Sequence, residues 1–298
     1  MSSTYRLMSV SQSLPNWPVL RRDSIPLRIR KKIAWLYPTL PQGEGFDAQL
    51  FGQVYQGRLG IHMDDKVFLY GSHEPATIRL MRGLLRHRRA QKNGEVVYLD
   101  IGTNTGQHLI TVSACADRAF GFEPYQPVRE KALQNVKRNK LSHVKIFDFG
   151  LSDMDAELPF TAPDGKNLGV GTFLDTAETA QSPKLILKVR QGDALLDEQG
   201  IIPDVIKIDT EGFEKNVLTG LSQTIARYHP DIVFEYGRDS RQDLGSLDAR
   251  RALFGDGYHY FGIARSREFP KLVPFSPEGK FENVLATRME IIPELDLS

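Results

Sequence analysis

Cysteine is almost absent from this chain, and several other features that announce a function are missing with it. One cysteine among 298 residues excludes an intramolecular disulfide framework and fits a reducing compartment. That residue, Cys115, falls in an apolar segment, where a small buried side chain is the expected role. An excess of either charge is missing too. Lys and Arg number 38 against 37 for Asp and Glu, so no general field favours a polyanion, and nucleic acid is not an expected partner. No uninterrupted apolar run approaches the roughly 18 residues of a membrane span. The N-terminus lacks the basic region and apolar core of a secretory signal. There is no His/Cys cluster to hold a structural zinc, no internal repeat and no low-complexity tract. The expectation is a soluble, cytoplasmic, globular protein.

What is present begins with proline. Pro15, Pro18, Pro26, Pro38 and Pro41 punctuate residues 1–60, so no long helical or alternating pattern is expected in this N-terminal arm. Its basic stretch RRDSIPLRIRKK reads as solvated or packed on the main domain, with an anionic surface or substrate as the alternative. From Glu74 the pattern turns regular. Ile78, Met81 and Leu85 recur at helical spacing, with Arg79, Arg82, Arg86 and Arg89 on another, wet face. Asn93-Gly94 ends that helix and VVYLDI opens a first core strand. Further strands follow at RAFGFE (118–123), VKIFDF (144–149), DVIKID (204–209) and DIVFEY (231–236), with amphipathic helices after the second and fourth. The helix after DVIKID is expected to break near Gly220. Short apolar strands alternating with helices imply an α/β fold, a mostly parallel sheet covered on both faces. YHYFGIA (258–264) and NVLATR (283–288) lack a long helix between them and should close the sheet as an antiparallel pair. Residues 151–203 do not fit a strand–helix–strand unit, and their alternation and glycine turns predict a β-hairpin insert within a domain spanning 61–298.

The loop Gly102-Thr103-Asn104-Thr105-Gly106 joins the first strand to a helix, and such a junction can present unpaired N–H groups to an anionic group. In open α/β sheets ligands bind at the carboxyl ends of the strands, near the switch in strand order. The next strand ends in Glu123, about twenty residues on, where a carboxylate can accept both hydroxyls of a ribose. An adenosine-like ligand follows. A dinucleotide needs a second glycine where this loop has Asn104, and Asp100 at the strand end opposes a pyrophosphate. S-adenosylmethionine suits the pattern better: no phosphate, a carboxylate for the loop amides, and two cationic centres for nearby acids.

The ordered set LDIGTNTGQH, FGFEPYQPVREKALQNVKRN, GLSD, NLGVGT, VIKIDTEGFEKNVLTG and IVFEYG resembles the FkbM family of S-adenosylmethionine-dependent methyltransferases, over roughly residues 70 to 288. The resemblance implies a class I methyltransferase (Rossmann-like) fold with a seven-stranded sheet, the cofactor over its first two strands, and methylation of hydroxyl oxygens on natural products or sugars. It implies that Asp100, Gly102, Asn104 and Gly106 surround the methionine part. Glu123 takes the ribose beside Pro124 and Tyr125, and Asp148, Gly150, Leu151 and Ser152 border the adenine. Glu74 matches a glutamate near the cofactor, and Asn167, Gly169 and Thr172 match a segment near the active site. Where the family usually has Gly-Ala-Asn, this chain has Gly102-Thr103-Asn104.

An aliphatic hydroxyl needs a base or a metal to help remove its proton. The candidates are Asp209, Glu211 and Glu214 after the fourth strand and Glu235 ending the fifth, with helix capping as the plain alternative for Asp209 and Glu211. Asp209 and Glu235, at adjacent strand ends, can converge, with Asp209 also touching cofactor; magnesium between these two is the second option. His73, His108 and His143 read as packing or surface histidines, although His108 follows the cofactor loop directly. Tyr125, Phe173, Tyr236, Tyr258 and Tyr260 either line an aromatic or sugar pocket or pack in the core. Three rival readings stand beside methyl transfer to a small molecule or sugar. A nicotinamide oxidoreductase lacks its glycine at Asn104. A nucleic-acid methyltransferase would show Pro-Pro-aromatic where this chain has DTEG. A cofactor-binding protein without turnover would retain the same fold. Oligomeric state leaves no signature in the sequence.

Overall fold

The computed structural model describes residues 45–58, 60–162, 171–173, 184–264, 269–290 and 295–297. The basic stretch of the arm, and Asn167 and Gly169, lie outside the described residues. The arm's last part is more regular than its prolines predict. β1 (Gly45–Leu50) and β2 (Gln53–Arg58) pair antiparallel through a tight turn at Phe51-Gly52, followed by α1 (His62–Tyr70).

Next come α2 (Pro75–Gln91), β3 (Val97–Ile101), α3 (Gln107–Val112), β4 (Arg118–Phe122), α4 (Gln126–Arg138) and β5 (Val144–Phe147). The third predicted strand stops at Phe147. After Asp148-Phe149 the chain leaves the main sheet as β6 (Gly150–Ser152), which pairs parallel with β8 (Lys184–Gln191); β8 in turn pairs antiparallel with β7 (Ala156–Thr161). The end of the predicted insert is helical. α5 (Gly192–Gln199) starts where the Gln191 side chain accepts from the amide of Ala194, a local cap that outweighs the alternation read there, and it stops at left-handed Gly200.

The chain continues through β9 (Val205–Ile208), α6 (Glu214–Gly220), α7 (Ser222–Tyr228), β10 (Asp231–Glu235), α8 (Arg238–Leu244), α9 (Leu247–Phe254), β11 (His259–Ala264), β12 (Lys271–Pro274) and β13 (Phe281–Thr287). The predicted helix break falls at Gly220, where an added Cβ would lie 1.9 Å from the carbonyl oxygen of Ser152. Only glycine lets the helix end meet β6 so closely.

The main sheet runs β12-β11-β13-β10-β9-β3-β4-β5. The five strands from β10 to β5 are mutually parallel, and β13 opposes both β10 and β11. All seven predicted strands are present. An eighth, β12, extends the edge, and its short Lys-Leu-Val-Pro sequence suits a position with one partner. Alternate side chains feed two cores. Val97, Leu99 and Ile101 pack with α5, α6 and α7, while Val96 and Tyr98 pack with α2 and α3. The arginine face of α2 is less wet than its spacing implies. Arg79 donates to the carbonyl of Leu297 and Arg86 to that of Asp296, so the segment 295–297 covers it, and Arg88 holds the fully buried Asp231 at 2.7 Å.

Candidate active site

Strand order reverses at β3, which lies between β4 and β9, and an open cleft of about 960 Å³ sits beyond the carboxyl ends of these strands and β10. The floor is built by close backbone approach. Asp209 donates its amide to the carbonyl of Ile101, and a Cβ on Gly102 would stand 1.8 Å from the carbonyl oxygen of Asp209. Gly102 also has φ +82, so both space and dihedral require glycine there.

The glycine loop is not an amide cradle. The N–H groups of Gly102 and Thr103 both donate to the carbonyl of Phe122, that of Asn104 to Glu123 Oε2 at 2.8 Å, and that of Gly106 to the carbonyl of Thr103. Four of the loop's five amides are thus already engaged within the protein, which leaves fewer for a carboxylate than the sequence suggests. What the loop offers instead is an acceptor. Asn104, left-handed at φ +51, lines the cleft with a buried Oδ1 that has no hydrogen-bond partner. Glu123, 7% exposed, takes the amides of Asn104 and Tyr125 on its two oxygens, so strand end and loop are locked together.

Carboxylates dominate one side. Glu74, Glu123, Asp209, Glu211 and Glu235 all line the cleft. Beneath them is a residue the sequence reading passed over, Lys207. It is 2% exposed, with Nζ 2.8 Å from Asp209 and 3.9 Å from Asp100. Burial works against its charge, but Asp209 and Asp100 together hold it protonated. Burial likewise opposes ionisation of Asp209, yet Lys207 and a hydrogen bond from Glu235 hold its carboxyl below the ordinary value. The neighbours move the other way. Burial first, then the charge of Asp209, pushes Glu74 up to about 7, Glu211 to about 8 and Glu235 to about 10. At neutral pH Asp209 is thus a carboxylate beside a protonated Glu235. Asn283 of β13 also escaped the sequence reading; its Nδ2 donates to Glu74 Oε1 at 2.7 Å.

Aromatic residues form a second part of the lining. Tyr125, Phe160, Phe173 and Phe213 line the cleft in a chain, with successive ring centroids 5.5, 5.1 and 5.2 Å apart. Gly150 and Leu151 of β6 and Pro124 complete the lining near Glu123, and His73 and Met63 close the edge by Glu74.

Other predicted site residues lie elsewhere. Asp148 is exposed at the break between β5 and β6 and does not line the cleft. Asp100 is wholly buried behind the loop, and burial lifts it to about 6. Gly106 packs on Ala132 of α4, and Ser152 meets α6. Glu214 is fully buried and accepts from Thr210, Gly212 and Ser240, which is the capping role. Thr172 donates to the carbonyl of Glu211 and so steadies that turn. His108 is buried and kept neutral by burial and Lys207, 3.6 Å from Glu74; His143 contacts the carbonyl of Ser113 at the far end of the sheet. Tyr236, Tyr258 and Tyr260 pack in the core around Phe254 and Phe275, not in the cleft.

The methyltransferase FkbM domain profile matches residues 100–260, more than half of the chain. The chain belongs to the FkbM methyltransferase family. As a member of that family it transfers a methyl group from S-adenosylmethionine, and the nicotinamide reading is set aside. It is 28% identical over 176 residues to the hexuronic acid methyltransferase AglP of Haloferax volcanii, covering 57% of this chain and 70% of that protein. Among solved structures it is similar to the FkbM methyltransferase of Methylobacillus flagellatus KT, at 19% identity and a TM-score of 0.42, covering 69% of this chain and 47% of that one. A SAM-dependent methyltransferase of Agrobacterium tumefaciens aligns at 11% identity and a TM-score of 0.46, over 85% of this chain and 72% of its own. This chain thus spans under half of the Methylobacillus protein.

The cleft of this FkbM methyltransferase fits such a cofactor by its donors and acceptors. An orphaned Asn104 oxygen and the anionic Asp209 suit cationic groups, whereas a pyrophosphate would meet acceptor oxygens and engaged amides. Among the described residues no three His, Cys, Asp or Glu form a metal-holding group, and Lys207 already supplies positive charge beside Asp209. No described helix is long and apolar enough to cross a membrane.

The raised carboxyls predict how ligand-free stability varies with pH. Unfolded, these groups titrate near ~4; folded, Asp100, Glu74, Glu123, Glu211 and Glu235 keep their protons to about 6, 7, 7, 8 and 10. Their contribution is therefore complete below the unfolded value and is lost as pH rises through the folded ones. The thermal midpoint of the protein should fall between pH 6 and 9.5, and Glu235→Gln should flatten the upper part of that decline. A wild-type midpoint that stays level or rises across this range would contradict the protonation states given above.

Proposed function

We propose that this chain is an S-adenosylmethionine-dependent O-methyltransferase acting on a hydroxyl of a sugar. The observation that carries the reading is a cleft lined by both acidic side chains and a chain of aromatic rings. Carboxylates accept the hydroxyls of a sugar while rings cover its C–H face, and the hexuronic acid named for AglP points to the same class of acceptor.

When bound, the cofactor supplies an electrophilic methyl group on a sulfonium. Glu123 would take its ribose hydroxyls, with Gly150, Leu151 and Pro124 bordering the adenine and Asn104, Gly102 and Glu74 around the amino-acid part. Asp209, held anionic by Lys207, orients the acceptor hydroxyl. Glu211, its carboxyl pushed up to about 8, receives the proton in its ionised form, which gains population as pH rises towards that value; Glu235 carries its own proton and fixes Asp209. The aromatic wall and the burial of the floor keep water from competing.

The test is calorimetric titration with S-adenosylhomocysteine, run beside NAD and repeated on Glu123→Ala. Wild-type protein should bind S-adenosylhomocysteine and not NAD. The variant should lose roughly tenfold to a hundredfold in affinity, because it removes both the ribose acceptor and the brace on Asn104. Undiminished binding by the variant would remove Glu123 from the site. Turnover of neutral and acidic methyl glycosides then tests the sugar assignment.

A further inference from the structure

The first seventy residues lie outside the matched stretch 100–260, yet part of them reaches the cofactor loop from behind. Tyr55 of β2 is wholly buried, and its hydroxyl lies 2.5 Å from Asp64 Oδ1 and 2.7 Å from Thr105 Oγ1. Burial and Asp64 keep the phenol protonated. With its one proton directed at the carboxylate, the phenol oxygen accepts from the Thr105 hydroxyl. Asp64, on α1 and also wholly buried, is fixed in turn by Lys131 Nζ at 2.8 Å and by the amide of Arg58 at 2.7 Å. A second tie runs through Asn135 of α4, whose Oδ1 accepts from the amide of Gln56 and whose Nδ2 donates to the carbonyl of Thr105. Phe46, Leu50, Val67 and Phe68 pack on Ile110 of α3, the helix that leaves the loop. Thr105 thus has both its hydroxyl and its carbonyl held by partners that depend on the hairpin.

We infer that the β1–β2 hairpin and α1 are a working part of the cofactor site, with Tyr55 and Asp64 as positioning residues that set the loop 102–106 through Thr105. The inference rests on the assignment of this cleft to S-adenosylmethionine. The loop adopts left-handed geometry at Gly102, Asn104 and Gly106; the glycines do so freely, whereas Asn104 must be held there by its surroundings. Glu123 braces it from the front, at the amide of Asn104; Tyr55 braces it from the back. An arrangement that only stabilised the fold would not need to converge on Thr105, since hairpin and α4 are joined independently by Asn139, which both accepts from and donates to the backbone of Val54.

The experiment uses the full chain and S-adenosylhomocysteine as the titrant. Tyr55→Phe and Thr105→Val should each raise its dissociation constant roughly fivefold to tenfold, and the double variant should be no weaker than the weaker single one, since both remove one bond. Thr105→Ser should restore near wild-type affinity. Asn139→Ala, which loosens the hairpin away from the loop, should lower the thermal midpoint while leaving the dissociation constant within twofold. Wild-type binding with Tyr55→Phe and Asn139→Ala alike in melting and both unchanged in affinity would overturn the inference and leave the cofactor assignment standing. No binding by the wild type would overturn both.

Discussion

Asp209→Asn should reduce turnover by about a thousandfold or more while leaving S-adenosylhomocysteine affinity within a few-fold. Asp209 is the one cleft carboxyl held below its ordinary value, through Lys207 at 2.8 Å, and its charge is the leading electrostatic cause of the raised values at Glu74, Glu211 and Glu235. In the proposed reaction the substitution therefore acts twice. It removes the anion that orients the acceptor hydroxyl, a role in which loss of one directed group typically reduces rate by a factor of ~10²–10³. It also lowers the carboxyl of Glu211, which weakens that residue as a base. The second effect has a signature that simple loss of a contact does not. With a like charge gone, Glu211 ionises at lower pH, so the acidic limb of the pH–rate profile should move down from about 8, even as the plateau falls. Turnover within tenfold of wild type would place Asp209 outside the chemistry, and an unmoved acidic limb would separate Glu211 from the proton transfer.

The parts of this site that could be read from sequence are those in which local pattern and function coincide. β3, the turn at Gly102 and Glu123 are visible because an apolar strand, a glycine and a strand-end acid follow one another within a few residues, and Asp209 and Glu235 stand out for the same reason. What escaped depends on distance. Whether loop amides are open to a ligand is decided by the carbonyl of Phe122 and the carboxylate of Glu123 on another strand, so a loop that looks like an anion cradle turns out to be already bonded. Asn283 and Met63 reach the cleft from opposite ends of the chain, and Asp148 is excluded because the strand breaks before it. The eighth strand and the helix at 192–199 were hidden by short, mixed sequences in which a single cap or edge partner decides the outcome. Lys207 is different. A lysine inside Val-Ile-Lys-Ile, with acids at the ends of its own and the adjoining strand, was a legible signal, because a buried ammonium requires partners.

That lysine carries the second large effect. Lys207→Met should destabilise the folded protein by about 3–5 kcal/mol, the usual result of breaking a buried ion pair from one side. For a domain of this size it corresponds to a fall in thermal midpoint on the order of 10 °C. The side chains have similar length, so packing is little changed and the loss comes from electrostatics. Asp100 is wholly buried, and Lys207 at 3.9 Å is the one cation beside it among the described residues. Without the ammonium, Asp100 must either remain charged in an apolar setting or take up a proton, and Asp209 loses the partner that keeps it anionic. Both carboxyls then titrate above their unfolded value, and a group of that kind contributes stability below the unfolded value and loses it as pH rises. The deficit of Lys207→Met relative to wild type should therefore be smallest near pH 5 and widen towards pH 8. Equilibrium denaturation of both proteins across that range measures it, with Asp100→Asn on the variant background expected to recover part of the loss. A deficit below 1 kcal/mol at every pH would mean that the two aspartates do not need the lysine, and that the charge order assigned to the floor of the cleft is wrong. A deficit that grows with pH and shrinks with Asp100→Asn would show that one buried cation both supports the sheet beneath the cleft and sets the charge of the carboxylate above it.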